Sequence, residues 1–257
     1  LQEHVTKNKA LRLYLILGAF FLTNALVAEF IGVKIFSLEK TFGISDFNWS
    51  FLGIKGTLNF TTGVLLWPIV FVITDLINEY YGRRGVRFLS VMAAILIAYS
   101  FGMIYLGIVV APADFWIGMN SALGVDDMQL SFQVIFGQSL WIIAGSLVAF
   151  LVGQMVDAIT FTRIKRITGE EKLYLRATGS TVISQFVDSF IVLYIAFVLP
   201  GFWTIDQFLA IGIVNYIYKL LMAIALTPAI YLAHHLIDKA LGEKLATDLK
   251  DKALKSQ

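Results

Sequence analysis

GVLLWPIVFVITDLINEYYGRRGVR, residues 63–87, is the stretch whose reading decides the fold. It opens as an apolar run of the kind that crosses a bilayer. It then sets Asp75, Asn78 and Glu79 on one helical face, because residues three and four apart are neighbours on a helix. It closes on Tyr81-Gly82 and the cationic cluster Arg83, Arg84 and Arg87. A carboxylate inside such a run costs roughly 2.5–3.5 kcal/mol on the insertion scale, and residues of this kind usually mark a pathway or a binding site. Pro68 lies seven residues before Asp75 and frees a backbone carbonyl that a neighbour or a water must satisfy. The ordinary alternative is a helix leaving the membrane, with Glu79 and the arginines solvated. That reading fits Arg83 and Arg84 better than Asp75, which has Ile73, Leu76 and Ile77 around it.

The rest of the chain supports a membrane setting. It has 257 residues, 58% hydrophobic and 15% charged, with a mean hydropathy of +0.77, outside the usual composition of soluble domains. Several apolar runs exceed the length needed to cross a hydrocarbon core of about 30 Å. We expect an all-α polytopic membrane protein, a single integral membrane domain over residues 1–257. Six transmembrane helices are expected at about 11–34, 57–80, 88–111, 131–156, 179–199 and 209–234, with a charged cytoplasmic tail over 235–257. The first run is too long for a signal-peptide core, so no cleaved leader is expected. With no cysteine, disulfides and thiolate metal sites are excluded, and no metal or cofactor is expected. A net charge of +2 is too small to imply a nucleic-acid partner.

The basic residues alternate along the chain. Lys7, Lys9 and Arg12 are followed by Arg83, Arg84 and Arg87, then by Arg163, Lys165, Arg166, Lys172 and Arg176, and finally by five lysines after residue 238. These segments fall on one side of a six-span topology, whereas the loop from Pro112 to Gln129 has Asp114, Asp126 and Asp127 and no Lys or Arg. The positive-inside rule therefore puts both termini in the cytoplasm. In the fourth span Gly137, Gly145, Ala149 and Gly153 recur at multiples of four. Small residues on one stripe let helix backbones approach closely, within the chain or across a homodimer.

Polar residues recur inside the other spans. The fifth carries Ser180, Ser184 and Asp188 at intervals of four with Thr181 and Gln185 beside them, a stripe wide enough to line a cavity; interhelical hydrogen bonding is the plainer use. The sixth carries Asn215 and Lys219, the latter too deep to snorkel and in need of an anion, either Asp188 or Asp75. Left unpaired, these three charges together would cost roughly 8–10 kcal/mol, so they must converge. Asn24 is central in the first span, and Gln154 and Asp157 lie in the fourth. Each half of the chain places an acidic residue in its middle helix, and three spans per half would make the halves a 3+3 inverted repeat.

These residues resemble a known family. The pattern is Asn24 and Lys34; Pro68-x-x-Phe71-x-x-Thr74-Asp75-Leu76; Glu79-x-Tyr81-Gly82 with Arg84 and Arg87; Gly153-Gln154-x-x-Asp157; Arg176, Ser180 and Asp188; and Asn215, Lys219 and Pro228. It is similar to the queuosine-precursor transporter family, also called the vitamin uptake transporter family, of bacterial inner membranes. The resemblance implies a multi-pass inner-membrane protein that imports 7-deazapurine precursors of queuosine: the cyano and aminomethyl deazaguanines, or queuine. The chemistry suits such a ligand. A carboxylate at Asp75 or Asp188 can accept adjacent N–H donors of a guanine-like edge, and amides read the remaining edge groups. Phe71, Phe186 or Tyr216 can stack on the ring. The candidate substrate-binding set is Asn24, Phe71, Asp75, Glu79, Gln154, Ser180, Ser184, Gln185, Asp188, Asn215 and Lys219.

Other classes fit less well. A substrate-capture subunit of a multi-subunit vitamin importer is the main alternative. With no Walker motif, energy would come from a proton, another gradient, or trapping by later chemistry. An intramembrane metalloprotease would want His-Glu-x-x-His, which the sequence lacks. A serine nucleophile needs a base, and neither Ser180 nor Ser184 has one nearby in sequence, so no enzymatic activity is expected. A channel would need a continuous wet pore.

Overall fold

The computed structural model describes residues 8–168 and 173–255, the side chains at 173, 174 and 176 excepted. Lys7, Lys172 and the side chain of Arg176, counted above among the basic residues, lie outside it. In chain order the elements are α1 (Lys9–Ile31), β1 (Ile35–Ser37), α2 (Leu38–Phe42), β2 (Trp49–Phe51), β3 (Ile54–Gly56), β4 (Asn59–Thr61), α3 (Trp67–Val109), α4 (Asp114–Ile117), α5 (Met128–Phe136), α6 (Leu140–Thr168), α7 (Leu173–Leu193), α8 (Ile205–Leu241) and α9 (Glu243–Lys255). Five helical stretches among the described residues are long and apolar enough to cross a membrane: Lys9–Ile31, Trp67–Val109, Met128–Thr168, Ala177–Val198 and Ile205–Leu241.

The 43-residue α3 would be about 65 Å long if straight, twice a bilayer core. It is not straight. Gly82 has φ 69 and ψ −177, a region open essentially only to glycine, and the chain reverses there. A Cβ on Gly85 would meet Tyr81 at 2.9 Å and Ile77 at 3.5 Å, contacts that a continuous helix could not make across eight residues. Two arms result. The first, up to Tyr81, runs against α1: Gly63 abuts the Ala28 carbonyl at one end, and Tyr81 donates to the Ala10 carbonyl (2.6 Å) at the other. The second runs alongside α1 in the same direction. Tyr14 donates to the Gly85 carbonyl at a separation of 71 residues; Gly18 meets Leu89 and Phe30 meets Phe101 at that same spacing. Gly82→Ala is expected to cost about 1–3 kcal/mol, read as a lower unfolding temperature of the detergent-solubilised protein.

The second half packs on the first arm. Thr74 bonds Gln154 and Asn78 bonds the Ala158 carbonyl, both at a separation of 80 residues, so this arm and α6 run in parallel. α7 returns antiparallel to α6 on the small-residue stripe: a Cβ on Gly145 would stand 3.0 Å from the Val192 carbonyl oxygen, and one on Gly153 would stand 3.3 Å from Asp188 Cβ. Those glycines therefore serve packing within the chain. Gly137 does not join them, because it ends α5 before α6 begins. Gly153→Leu should destabilise the fold by about 1–3 kcal/mol or more, as overpacking does; a thermal melt with Ala as the milder comparison checks it. α8 then packs on α7 through Gly212 beneath Phe190, 2.9 Å from a notional Cβ.

Several expected boundaries move. Residues 57–66 are not the start of a helix. β4 pairs with β1 (Phe36 opposite Phe60), and a 3₁₀ turn over Thr62–Leu65 leads into α3. The helix of the fourth span runs on past the expected end at 156, α6 reaching Thr168, so Lys165 is part of a helix and only 4% exposed rather than a loop residue. The tail is ordered: α8 continues to Leu241, and α9 folds as an amphipathic helix with Ala246 and Ala253 buried.

The two ends of the bundle differ. At the end with Gly82, Lys9 donates to the Ala240 carbonyl (3.0 Å), and Lys250 of α9 pairs with Asp238 (2.9 Å). Tyr80 donates to Asp238 (2.7 Å) and approaches His234 Nδ1 (3.3 Å). Desolvation raises the Asp238 pKa, but the Tyr80 hydroxyl, Lys250 and His234 outweigh it and leave the carboxyl below its ordinary value. Asp238 thus ties α9 to α8 and to Tyr80 of α3.

The other end is a cap made by β1–β4 and α2. Its outer surface carries exposed apolar side chains, Phe42 71%, Ile44 57%, Phe47 61% and Leu52 49% exposed, among polar ones such as Asp46 and Lys55. Inside, Glu39 is fully enclosed and accepts from the Leu58 amide (2.6 Å) and the Ser37 hydroxyl (2.9 Å). Desolvation pushes its pKa up, but bonds from Leu58, its own amide, Ser37 and Phe47 prevail and lower it. A lowered carboxyl pKa stabilises above its unfolded value, about 4.3, and that contribution is lost as pH falls through the folded value. The protection of the Leu58 amide against hydrogen exchange, corrected for the intrinsic pH dependence of exchange, should fall on acidification, and Glu39→Gln should flatten that response.

Candidate functional site

Polar side chains gather between the first arm of α3 and helices α6, α7 and α8 in three tiers. Nearest the cap, Lys219 of α8 pairs with Asp188 of α7 at 2.5 Å, the two being 11% and 18% exposed. In the middle, Asp75 and Asp157 are 1% and 0% exposed. Ser184 donates to Asp157 Oδ1 (3.0 Å), and Asp157 also lies within hydrogen-bonding reach of Ser180 and Asp75. One turn beyond Asp75, nearest Gly82, Glu79 pairs with Lys165 at 3.1 Å, both buried. The spacing of four in α7 (Ser180, Ser184, Asp188) and in α3 (Asp75, Glu79) generates this ladder. Each charge has a partner at its own level, as a low-dielectric interior requires.

A cavity opens beside the middle tier. Pro68, Phe71, Val72 and Asp75 line it from α3; Ala177, Thr178, Thr181 and Gln185 from α7; and Lys219, Ala223 and Ile230 from α8. Its volume is about 20 Å³, where a water needs about 10–15 Å³ on the same measure. A fused bicyclic base cannot enter without the helices parting, so this conformation is closed around its polar groups. On the cap side Phe60 of β4, 3% exposed, stacks on Tyr218 of α8 at 4.3 Å and 30° and ties the cap to that helix.

The sequence-derived residues divide on this geometry. Phe71, Asp75, Gln185 and Lys219 line the cavity. Ser180 and Ser184 are fully buried behind it at Asp157, and Asp188 reaches it through Lys219. Lys219 therefore takes Asp188, not Asp75, of the two partners considered. Gln154 sits behind Asp75, its Oε1 accepting from Thr74 (2.8 Å). Glu79 faces Lys165 rather than the cavity. Asn24 bonds its own helix at the Phe20 carbonyl (2.8 Å), and Asn215 is half-buried on α8; neither lines the cavity. Phe186 is 51% exposed and packs on Phe190 and Tyr216, outside the cavity lining.

Sequence reasoning missed Lys165, Thr178 and Phe60. The signal for Lys165 was present, because Gln154, Ala158, Phe161 and Lys165 continue one buried face at steps of three and four. Thr178 lay just before the expected fifth span. Phe60 comes from a strand, which periodicity in a hydrophobic run does not announce.

Fold and site together define a polytopic helical membrane protein with a polar, ion-paired interior bordering a closed cavity. A protein-family model described as "Putative vitamin uptake transporter" matches residues 61–233, and the chain belongs to that family of transporters, multi-pass proteins of the bacterial inner membrane. It is 30% identical over 181 residues to a "Probable queuosine precursor transporter" of Bacillus subtilis (strain 168), covering 70% of this chain and 74% of that one. It is 25% identical over 185 residues to a protein of the same description from Haemophilus influenzae, covering 68% of this chain and 69% of that one. No solved structure matches the chain.

Proposed function

We propose that this protein imports 7-deazapurine precursors of queuosine into the bacterial cytoplasm. The supporting observation is Asp75 at the wall of a cavity that also receives Gln185, Thr181 and the ring of Phe71, in a chain whose relatives carry the queuosine-precursor description. A carboxylate accepts paired N–H donors of a guanine-like edge, the amide reads an adjacent group, and the aromatic face receives the ring. Asp188 and Lys219 hold the cap side of the site closed until substrate competes for them. Gln154, Ser180 and Ser184 complete the proposed set behind these contacts, Asn24 and Asn215 belong to it from outside the cavity lining, and Glu79 acts from the inner tier.

In this reading the chain crosses the membrane six times, with α3 supplying two crossings, both termini cytoplasmic and the halves related as a 3+3 inverted repeat. The Gly82 end faces the cytoplasm and the β cap faces outward. The protein acts as a carrier without enzymatic activity, driven by an ion gradient, a proton being the simplest, and no homodimer contact is needed to complete the site. The test is a cell unable to make queuosine and lacking its own transporter. Supplied with each precursor in turn, it should regain the modified base in its tRNA when this protein is expressed. No modification with any precursor, despite good membrane expression, would defeat the assignment.

A further inference from the structure

α9 is joined to α8 by a single residue, Gly242, with φ 86 and ψ 147, a backbone conformation in which a side chain is strained. A Cβ there would meet nothing within 4 Å, so glycine is present for the turn rather than for space. Beyond it α9 folds back with Ala246 and Ala253 buried. Leu245 and Leu249 pack on the core cluster that holds Ile237 and Leu241 of α8 and Tyr80 of α3. One short helix thus covers the join between α3 and α8.

Its polar contacts lie on that join. Tyr80 donates to Asp238 Oδ1 (2.7 Å), and its ring centre is 5.6 Å from that of His234. Lys250 reaches both sides, its Nζ 2.9 Å from Asp238 Oδ2 and 5.4 Å from the centre of the Tyr80 ring. The same two helices line the cavity: Tyr80 follows the lining residue Asp75 by five positions, and His234 follows Ile230 by four. A cavity of about 20 Å³ can open toward the Gly82 end only if α3 and α8 part at this level. That movement breaks the Tyr80–Asp238 bond and draws Tyr80 away from Lys250.

The clamp is of a kind that can be undone. Lys250 and Asp238 are 17% and 38% exposed, so water can replace each partner, and pairs of this sort hold weakly. Glu79 and Lys165, which join α3 to α6 at the same end, are 0% and 4% exposed, and separating them would strand two buried charges. The join under α9 is therefore the cheaper one to open.

We propose that α9 is a latch on the inner side of the transport site. Docked, it holds α3 against α8 and keeps the cavity shut toward the cytoplasm; it lets go of Tyr80 when the cavity opens inward. The inference rests on the carrier reading above, with the Gly82 end cytoplasmic.

The test uses no deazapurine. The sequence has no cysteine, so Ala223→Cys places a single thiol in the cavity wall. Its rate of reaction with a membrane-impermeant thiol reagent is read in inside-out and in right-side-out vesicles holding the full-length protein. In inside-out vesicles, adding Lys250→Met should speed labelling about two- to fivefold, as loss of a partly exposed pair does. Ala246→Glu sets a carboxylate under the docked helix and should speed it by roughly tenfold or more. Lys244→Met, on the exposed face of α9, should change nothing. In right-side-out vesicles none of the three should speed labelling. Unchanged rates with both Lys250→Met and Ala246→Glu overturn the latch, and equal acceleration from both sides overturns it by showing that α9 serves stability alone. Acceleration confined to right-side-out vesicles overturns the cytoplasmic placement and the inner latch with it. Lys250→Met decides the matter should Ala246→Glu fail to fold. Import is scored separately by the modified base in tRNA, so failure of the substrate reading and failure of the latch appear in different measurements.

Discussion

Lys219→Met is expected to abolish uptake and to destabilise the protein by about 3–5 kcal/mol, the usual cost of leaving one partner of a buried ion pair alone. The geometry behind this is direct: Lys219 Nζ meets Asp188 Oδ2 at 2.5 Å, with both side chains less than a fifth exposed, and no other cation is paired with Asp188 among the described residues. Adding Asp188→Asn should restore much of the stability, because a buried pair replaced as a unit is often neutral. It should not restore uptake, since the cavity still lacks the ammonium group that lines it. Thermal unfolding in detergent and uptake in cells separate the two effects. Recovery of transport in the double variant would show that the pair serves only the fold.

Asp75→Ala should have the second large effect, of a different kind. Loss of a bidentate acceptor is worth about 1–3 kcal/mol of recognition, or roughly five- to 150-fold in apparent affinity, and removal of the only carboxylate that lines the cavity among the described residues makes the upper end the expectation. Asp75 is 1% exposed and engaged with its neighbours, so some loss of stability is expected as well. Concentration-dependent uptake, normalised to membrane expression, checks it. Unchanged uptake would take Asp75 out of the site.

These two residues also show how far the sequence could be read. Asp75 was legible because an acidic residue within an apolar run is costly, and the same argument required a partner for Lys219. It could not choose between Asp75 and Asp188, since both lie at similar depth in their helices. The choice follows from the antiparallel register of α7 and α8, fixed by contacts such as Phe190 over Gly212. Lys165 illustrates the complementary error: it read as a loop cation at the membrane surface, because hydropathy falls there, yet it is buried against Glu79. Composition registers charge, whereas burial depends on what a neighbouring helix brings to the same level. The strands of the cap were illegible for a simpler reason: three-residue strands carry too little periodicity to stand out beside long apolar runs.

The exposed apolar side chains of that cap have a consequence for the medium in which the protein works. Phe42, Ile44, Phe47 and Leu52 are 71%, 57%, 61% and 49% exposed, on a small structure joined to the ends of α1 and α3 that also supplies Phe60 to the Tyr218 stack. Aromatic and aliphatic groups at that height favour the headgroup region of a bilayer over water. The cap is thus fastened to α8 through that stack while its outer apolar side chains favour lipid, so a change of bilayer thickness is expected to alter how firmly it sits on the helices.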